Sequence, residues 1–255
     1  MRRGMFPVLF FVSLALSLAA YEVKADCLAD ACYKHSINKA FPEARADMQS
    51  GKLANPKKLA ANIGKKSRSS YGFASGISKE KGSFILGVLL TDLNVLIAAN
   101  EMESAAVVTG ALAEDFKNLQ APPSLIESAA KVNEAVAIGA GKKEMDMIMP
   151  VVEPFIFDYV SREGKDIYMK LGFWVETARL FLDQGDTETA IAFLKSQMGA
   201  FGALYFNEAL KRDDLPKGVK NSLNVLTEIS VKEKIGSRES AAALTAVNTI
   251  YQLMI

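Results

Sequence analysis

The apolar positions after Gly82 recur with the spacing of amphipathic helices. One series runs from Leu86 to Ile97 and a second from Leu171 to Leu182, and polar, glycine or proline residues separate further stretches. The pattern predicts an all-α protein with eight helices. They cover residues 84–99, 102–119, 123–138, 142–161, 167–184, 187–211, 216–232 and 237–254.

The breaks between these stretches carry residues that end or begin helices. Asn100 and Gly185 tolerate the left-handed backbone that closes a helix. Pro123 and Pro216 suit a first helical turn. Two further prolines, Pro150 and Pro154, fall inside the fourth predicted helix and should kink or split it.

The eight predicted helices form two similar sets of four. Leu171-Gly172 follows Leu86-Gly87 by 85 residues, and the same offset places Leu89 on Trp174 and Phe116 on Phe201. An offset of 93 residues places Pro123 on Pro216. The fourth helices then align Val151, Pro154, Phe157 and Val160 with Leu244, Val247, Ile250 and Leu253. We interpret this as an internal duplication, with four-helix units at 83–162 and 163–255 after a polar arm at 26–82.

Gly87 and Gly172 are equivalent under this duplication and lie inside helices. A glycine there costs about 1 kcal/mol relative to alanine. We expect a close crossing of two helices to require them. A ligand lying against the bare backbone is the alternative.

The stretch "WVETARLFLDQGDTETAIAFL", residues 174–194, resembles a tetratricopeptide hairpin, with a diverged copy at 89–109. The residues at that repeat's spacing are Trp174, Ala178, Phe181, Gly185-Asp186, Ala190 and Leu194. Gln197 and Gly202 stand where the repeat carries a small residue and a proline. The resemblance implies a concave groove that binds peptides or proteins. The counterpart of Trp174 is the core-type residue Leu89, so we expect the tryptophan to be buried.

Residues 1–25 have the features of a signal peptide. Arg2 and Arg3 precede an apolar run from Phe6 to Ala20, and Ala25 is a small residue at the cleavage position. Export to the periplasm or outside the cell is therefore expected, with an uncleaved anchor as the alternative. We expect no membrane-spanning segment after cleavage, because the most apolar later stretch carries polar residues near its middle.

Both cysteines, Cys27 and Cys32, follow the leader, and an oxidising compartment would favour a disulfide between them. A regular helix would hold residues five apart on different faces, so the bridge predicts a loop or a broken helix. A metal site of both cysteines with His35 is the alternative.

The charge balance does not favour nucleic acid as a partner. The formal net charge is +1, and loss of the leader, with three bases and one acid, changes it to −1. One basic segment is a possible partner surface or a solvated helix face. It contains Lys57, Lys58, Lys65, Lys66 and Arg68, and Asn55 is the expected cap of a helix that begins at Pro56.

No catalytic motif or cofactor motif is complete in this sequence. The acids Asp92, Glu101, Glu103 and Glu134 suggest a buried carboxylate cluster or solvated helix positions. Thioethers can bind Cu(I), and Met145, Met147 and Met149 alternate along the chain. On a helix, however, Met147 would point away from the other two, which favours core methionines beside a kink.

These observations predict an exported, non-enzymatic helical protein that binds a protein or peptide partner, without a cofactor. A small-ligand or copper carrier with a cavity between the units is the second hypothesis. An enzyme of unknown class is the third.

Overall fold

Ten α-helices make up the described part of this computed structural model, which covers residues 54–63 and 77–255 apart from several side chains between 197 and 204. They are α1 Pro56–Ile63, α2 Lys79–Ala99, α3 Met102–Asn118, α4 Pro123–Ala137, α5 Lys142–Arg162, α6 Asp166–Leu182, α7 Thr187–Lys195, α8 Gln197–Leu210, α9 Lys217–Ser230 and α10 Ser237–Met254. Within these ranges there is no strand, and the predicted all-α class is confirmed.

Local signals position most helix ends. Asn100 and Gly185 have φ values of 61° and 70°, which confirms the two left-handed turns. The helix α2 begins before the predicted residue 84, because Ser78 caps it by accepting a hydrogen bond from the Lys81 amide. Of the predicted kink or split at Pro150 and Pro154, the split does not occur, since both prolines lie inside the uninterrupted α5. The kink stays a prediction.

The predicted single helix at 187–211 is wrong, because Ser196 divides it into α7 and α8. The Ser196 hydroxyl donates to the Phe193 carbonyl and accepts from the Gly199 amide at 3.1 Å. A Cβ on Gly199 would lie 2.4 Å from the Phe193 oxygen, so the turn requires glycine. Apolar residues continue across the turn, and periodicity alone therefore did not locate it.

The helices α2 and α6 form the most extensive helix–helix contact and cross with almost no space between their backbones. A Cβ on Gly87 would lie 2.0 Å from the Met169 carbonyl oxygen, and one on Gly172 would lie 2.0 Å from that of Phe84. Thr91 strengthens the crossing by donating to the Phe173 carbonyl. The predicted close crossing at both glycines is confirmed.

The other described helices surround this central pair and share one hydrophobic core. The helix α3 packs on α2 and α4, and α5 lies against α2 and α6. The helices α7, α8 and α10 pack on α6, α9 packs on α8 and α10, and α1 contacts both central helices. By length and composition alone α2 is able to span a membrane, but 94% of its most apolar window is buried inside this fold.

The burial of the two fourth helices does not match at the predicted offset of 93 residues. Pro154 is exposed, whereas its predicted partner Val247 is fully buried. Val160 is buried, whereas its predicted partner Leu253 is 39% exposed. The loop before α10 is two residues longer than the loop before α5.

The described residues include part of the predicted N-terminal arm. The helix α1 begins at Pro56, and the Asn55 side chain accepts from the Lys57 amide at 2.9 Å, which confirms the predicted cap. The predictions for the signal peptide at 1–25 and for Cys27, Cys32 and His35 lie outside the described residues.

Candidate functional site

The outward side of α5 carries an apolar strip. Met147 is 58% exposed and Val151 is 40% exposed, and Pro150 and Pro154 are also exposed. Counted from Met147, the residues Pro150, Val151 and Pro154 stand at i+3, i+4 and i+7, so all four share one helix face. We call them the outer strip of α5.

The inward side of the same helix is apolar as well. Its buried residues are Met145, Ile148, Met149, Val152, Ile156 and Val160. A helix on the surface of a protein ordinarily needs only one apolar face. Two ion pairs lie within the helix beside the outer strip, Arg162 with Asp158 at 2.9 Å and Lys142 with Asp146 at 3.7 Å, and the exposed Lys143 stands one turn before Met147.

The three methionines do not converge. Met145 and Met149 are buried, and Met147 lies on the exposed side. This arrangement follows from the continuous helix and does not form a thioether site for Cu(I). No group of three or more His, Cys, Asp or Glu side chains within residues 54–63 and 77–255 has the arrangement of a metal site.

A buried charged centre lies beside the central crossing. The Arg179 guanidinium donates to both carboxylate oxygens of Glu176, at 2.9 and 2.7 Å, and lies 4.9 Å from the ring centroid of Tyr251. Glu176 and Asp92 are both fully buried. Burial disfavours the charged guanidinium, but the hydrogen bonds and charge of Glu176 outweigh this effect and raise the pKa of Arg179. The arrangement therefore holds a permanent cation and is suited to structural pairing rather than proton transfer.

A second polar cluster connects the start of α6 with the loop before α9. The Tyr168 hydroxyl donates to Asp214 and accepts from Arg212 at 3.3 Å, and Lys165 pairs with Glu80 at the start of α2. The pKa of Tyr168 is raised to about 12, and the largest cause is burial, with the hydrogen bond to Asp214 second. Each charge here has a partner of the opposite sign, so the cluster ties segments together and leaves no charge for a ligand.

One buried acid has no hydrogen-bond partner. Both carboxylate oxygens of Asp115 in α3 are buried without one, and Asp115 itself is fully buried. Burial raises the pKa of this group well above its ordinary value. The Tyr159 hydroxyl, on α5, donates to the Leu119 carbonyl at 3.0 Å.

The four acids considered as a possible carboxylate cluster do not come together, and three of them lie at solvated positions. Asp92 is buried in the core, whereas Glu101, Glu103 and Glu134 are exposed. Sequence reasoning missed Asp115, Glu153 and Glu176, which are the other buried acids among the described residues. Asp115 and Glu176 each have apolar neighbours three or four positions away in the sequence. This spacing places them on an apolar helix face and could have indicated that they are buried.

The hairpin residues of the tetratricopeptide-like stretch pack inward. Trp174 is only 3% exposed, and its ring makes an edge-on contact with Phe206 at a centroid distance of 4.7 Å. Phe193 stacks on Phe181 at 5.0 Å. The predicted burial of Trp174 is confirmed, and its ring is not available to a partner.

Only the first two residues of the predicted basic surface are described. Lys57 and Lys58 lie exposed on α1, and Lys65, Lys66 and Arg68 fall outside the described ranges. Two lysines on one short helix are ordinary for a solvated surface and do not define a site.

Comparisons of this chain with family models, curated proteins and solved structures found no match. The outer strip of α5 is therefore selected as the candidate site on the geometry and chemistry of its own residues.

Proposed function

We propose that this protein is an exported, non-enzymatic helical scaffold whose outer strip of α5 binds an apolar helix of a partner protein. The observation that carries the proposal is the second apolar face of α5. Met147, Pro150, Val151 and Pro154 recur at i, i+3, i+4 and i+7, which is the spacing of the apolar anchors at helix-mediated interfaces. Among the described residues this face is not used by the core, because the opposite face of α5 supplies the packing.

We further propose that the chain arose by internal duplication, with an offset of 95 residues in the fourth helices. Gly141 and Gly236 then become equivalent caps, each with its amide donating to the glutamate three residues later. The buried residues of the two helices also pair at this offset: Met145 with Ser240, Ile148 with Ala243, and Val152 with Val247. Gly87 facing Gly172 across the central crossing supports the same proposal.

The proposed second copy supplies an internal comparison for the outer strip. The residues equivalent to Met147, Pro150, Val151 and Pro154 are Ala242, Thr245, Ala246 and Thr249. Both threonine hydroxyls donate to carbonyls of their own helix. At the two proline positions α10 therefore carries hydroxyl side chains, whereas its Ala246 is buried in the core. The exposed apolar strip on α5 has no counterpart on α10, and partner binding would explain this difference.

Site-specific photo-crosslinking in the native cell envelope tests the proposal. A crosslinking amino acid at position 147 should give one discrete adduct, whereas the same amino acid at the exposed position 245 should not. With the partner then purified, Met147→Lys should abolish binding and Thr245→Lys should leave it unchanged. The same adducts from both positions, or equal binding of both variants, would refute the proposal.

The carrier hypothesis makes a different prediction. We expect purified protein to contain no stoichiometric copper, because Met147 lies away from Met145 and Met149. About one copper per chain by elemental analysis, lost when all three methionines are changed to leucine, would favour a carrier. The proposed export is tested separately, since the N-terminal residue of the mature chain should be Asp26.

A further inference from the structure

We propose that Asp115 is a proton-dependent latch: the neutral acid keeps α3 closed against the ends of α2 and α5, and its ionisation opens this junction locally. The inference rests on the placement of a carboxyl group that the proposed function does not use. It is independent of partner binding by α5.

The surroundings of Asp115 are unsuited to a negative charge. A carboxylate normally accepts several hydrogen bonds, and neither oxygen of Asp115 receives one. On the α2 side the residue facing it is Gly82, where a Cβ would lie 3.5 Å from Oδ1 and 2.6 Å from a methyl carbon of Leu119. The proton on Tyr159, the titratable group facing it from α5, is already donated to the Leu119 carbonyl. An isolated buried charge is costly, so the group is expected to remain protonated.

The nearby charged residues do not compensate Asp115. At the start of α2, Lys79 pairs with Glu163 and Glu80 pairs with Lys165. Lys81 on α2 is half-buried beside Gly82, but burial is the cause of the raised pKa of Asp115, and no charge interaction with Lys81 contributes to it. Other charged residues of the adjoining helices are exposed to solvent, including Glu114 and Lys117 on α3, and Glu127, Lys131 and Glu134 on α4. Burial, and after it the negative charges of Glu163 and Asp115, raise the pKa of the neighbouring Tyr159 to about 12, so neither acid offers Asp115 or Tyr159 a compensating positive charge.

The sign of the pH dependence follows from the direction of the shift. The folded protein binds the Asp115 proton more tightly than the unfolded chain does. Its stabilising effect is complete below the ordinary aspartate pKa of about 3.9 and is lost as the pH rises toward the folded value. Within that window, each pH unit should increase the opening of the junction about tenfold.

Hydrogen exchange of the full chain measures this opening. After correction for the intrinsic pH dependence of exchange, amides of α3 near Asp115 should open about tenfold more per pH unit above about pH 4. In Asp115→Asn this increase with pH should disappear, even if the substitution changes the stability of the protein by the same amount at every pH. The matched control is Glu114→Gln, which removes an exposed acid from the same helix and should retain the wild-type slope.

Two outcomes would overturn the proposal. One is an equal pH slope in the wild type and Asp115→Asn, and the other is loss of the slope in Glu114→Gln. If the asparagine variant fails to fold, Asp115→Leu serves the same purpose, because the slope and not the offset is the readout. Infrared spectroscopy of the wild type provides a further test: a protonated carboxyl band should persist above the ordinary aspartate pKa of about 3.9, and its absence there would also refute the latch.

Discussion

Replacing Gly87 with alanine tests the central crossing of α2 and α6. The added methyl group would lie 2.0 Å from the Met169 carbonyl oxygen and 2.5 Å from the Phe173 nitrogen, both of which are backbone atoms. An ordinary contact begins near 3.4 Å, so the helices must separate by about 1.4 Å, the difference from 2.0 Å. Because this is the most extensive helix contact in the described fold, the separation would loosen packing along much of both helices.

The expected change in the free energy of unfolding of Gly87→Ala is the difference between two opposing effects. Alanine should gain about 1 kcal/mol from its higher helix propensity. Overpacking against an interior that cannot yield costs roughly 1–3 kcal/mol, and contacts with backbone belong at the upper end or beyond it. We therefore expect Gly87→Ala to lower the free energy of unfolding by at least about 2 kcal/mol, out of a typical total of about 5–15 kcal/mol.

Urea unfolding followed by circular dichroism provides the measurement, and Gly218→Ala provides the control. A Cβ on Gly218 would meet only the tip of Leu253, at 2.8 Å, and that side chain is 39% exposed and able to move. The same substitution should stabilise the protein there by up to about 1 kcal/mol. An opposite sign at the two positions is the expected result.

A Gly87→Ala variant as stable as the wild type would show that the backbones do not approach at this point. The double variant with Gly172→Ala tests the geometry further. The two glycines share one contact, so once the first methyl group has separated the helices the second should cost less than it does alone. Strictly additive losses would indicate two unrelated contacts.

Two further substitutions test the packing around α6. Trp174→Ala should cost roughly 3–5 kcal/mol, because it empties the space against Phe206 and Gly202, and tryptophan emission of the wild type should be blue-shifted and resistant to quenchers. A red-shifted, readily quenched native emission would contradict this burial. Arg179→Met should cost about 3–5 kcal/mol by leaving Glu176 buried without its guanidinium, and adding Glu176→Gln should recover much of the loss. Additive losses in that double variant would show that the two side chains do not act as a pair.

The elements that the sequence predicted well are those set by local chemistry and by periodicity. The turns at Asn100 and Gly185 follow from residues that tolerate positive φ, and seven of the eight predicted helices occur with small shifts at their ends. The crossing at Gly87 and Gly172 was also predictable, because glycine inside a helix is unfavourable unless another backbone approaches it.

What the sequence did not predict depends on tertiary contacts. The break at Ser196 requires the chain to turn back on the carbonyls of α7, and apolar residues on both sides concealed it. The register of α10 depends on a loop length that has no periodic signal. The isolation of Asp115 depends on which side chains surround it, and its position in α3 does not reveal this.

Comparison of equivalent positions in the proposed duplication separates packing from function. Gly87 and Gly172 meet across the crossing, and buried Trp174 corresponds to buried Leu89. The two members of each pair therefore have the same role in packing. Met147 corresponds to the partly buried Ala242 and is 58% exposed, which gains nothing in packing. Exposing a large apolar side chain carries a cost in solubility and does not strengthen the core. Within the described residues, Met147 on the outer face of α5, and not the buried Trp174, is therefore an apolar side chain that core packing does not explain.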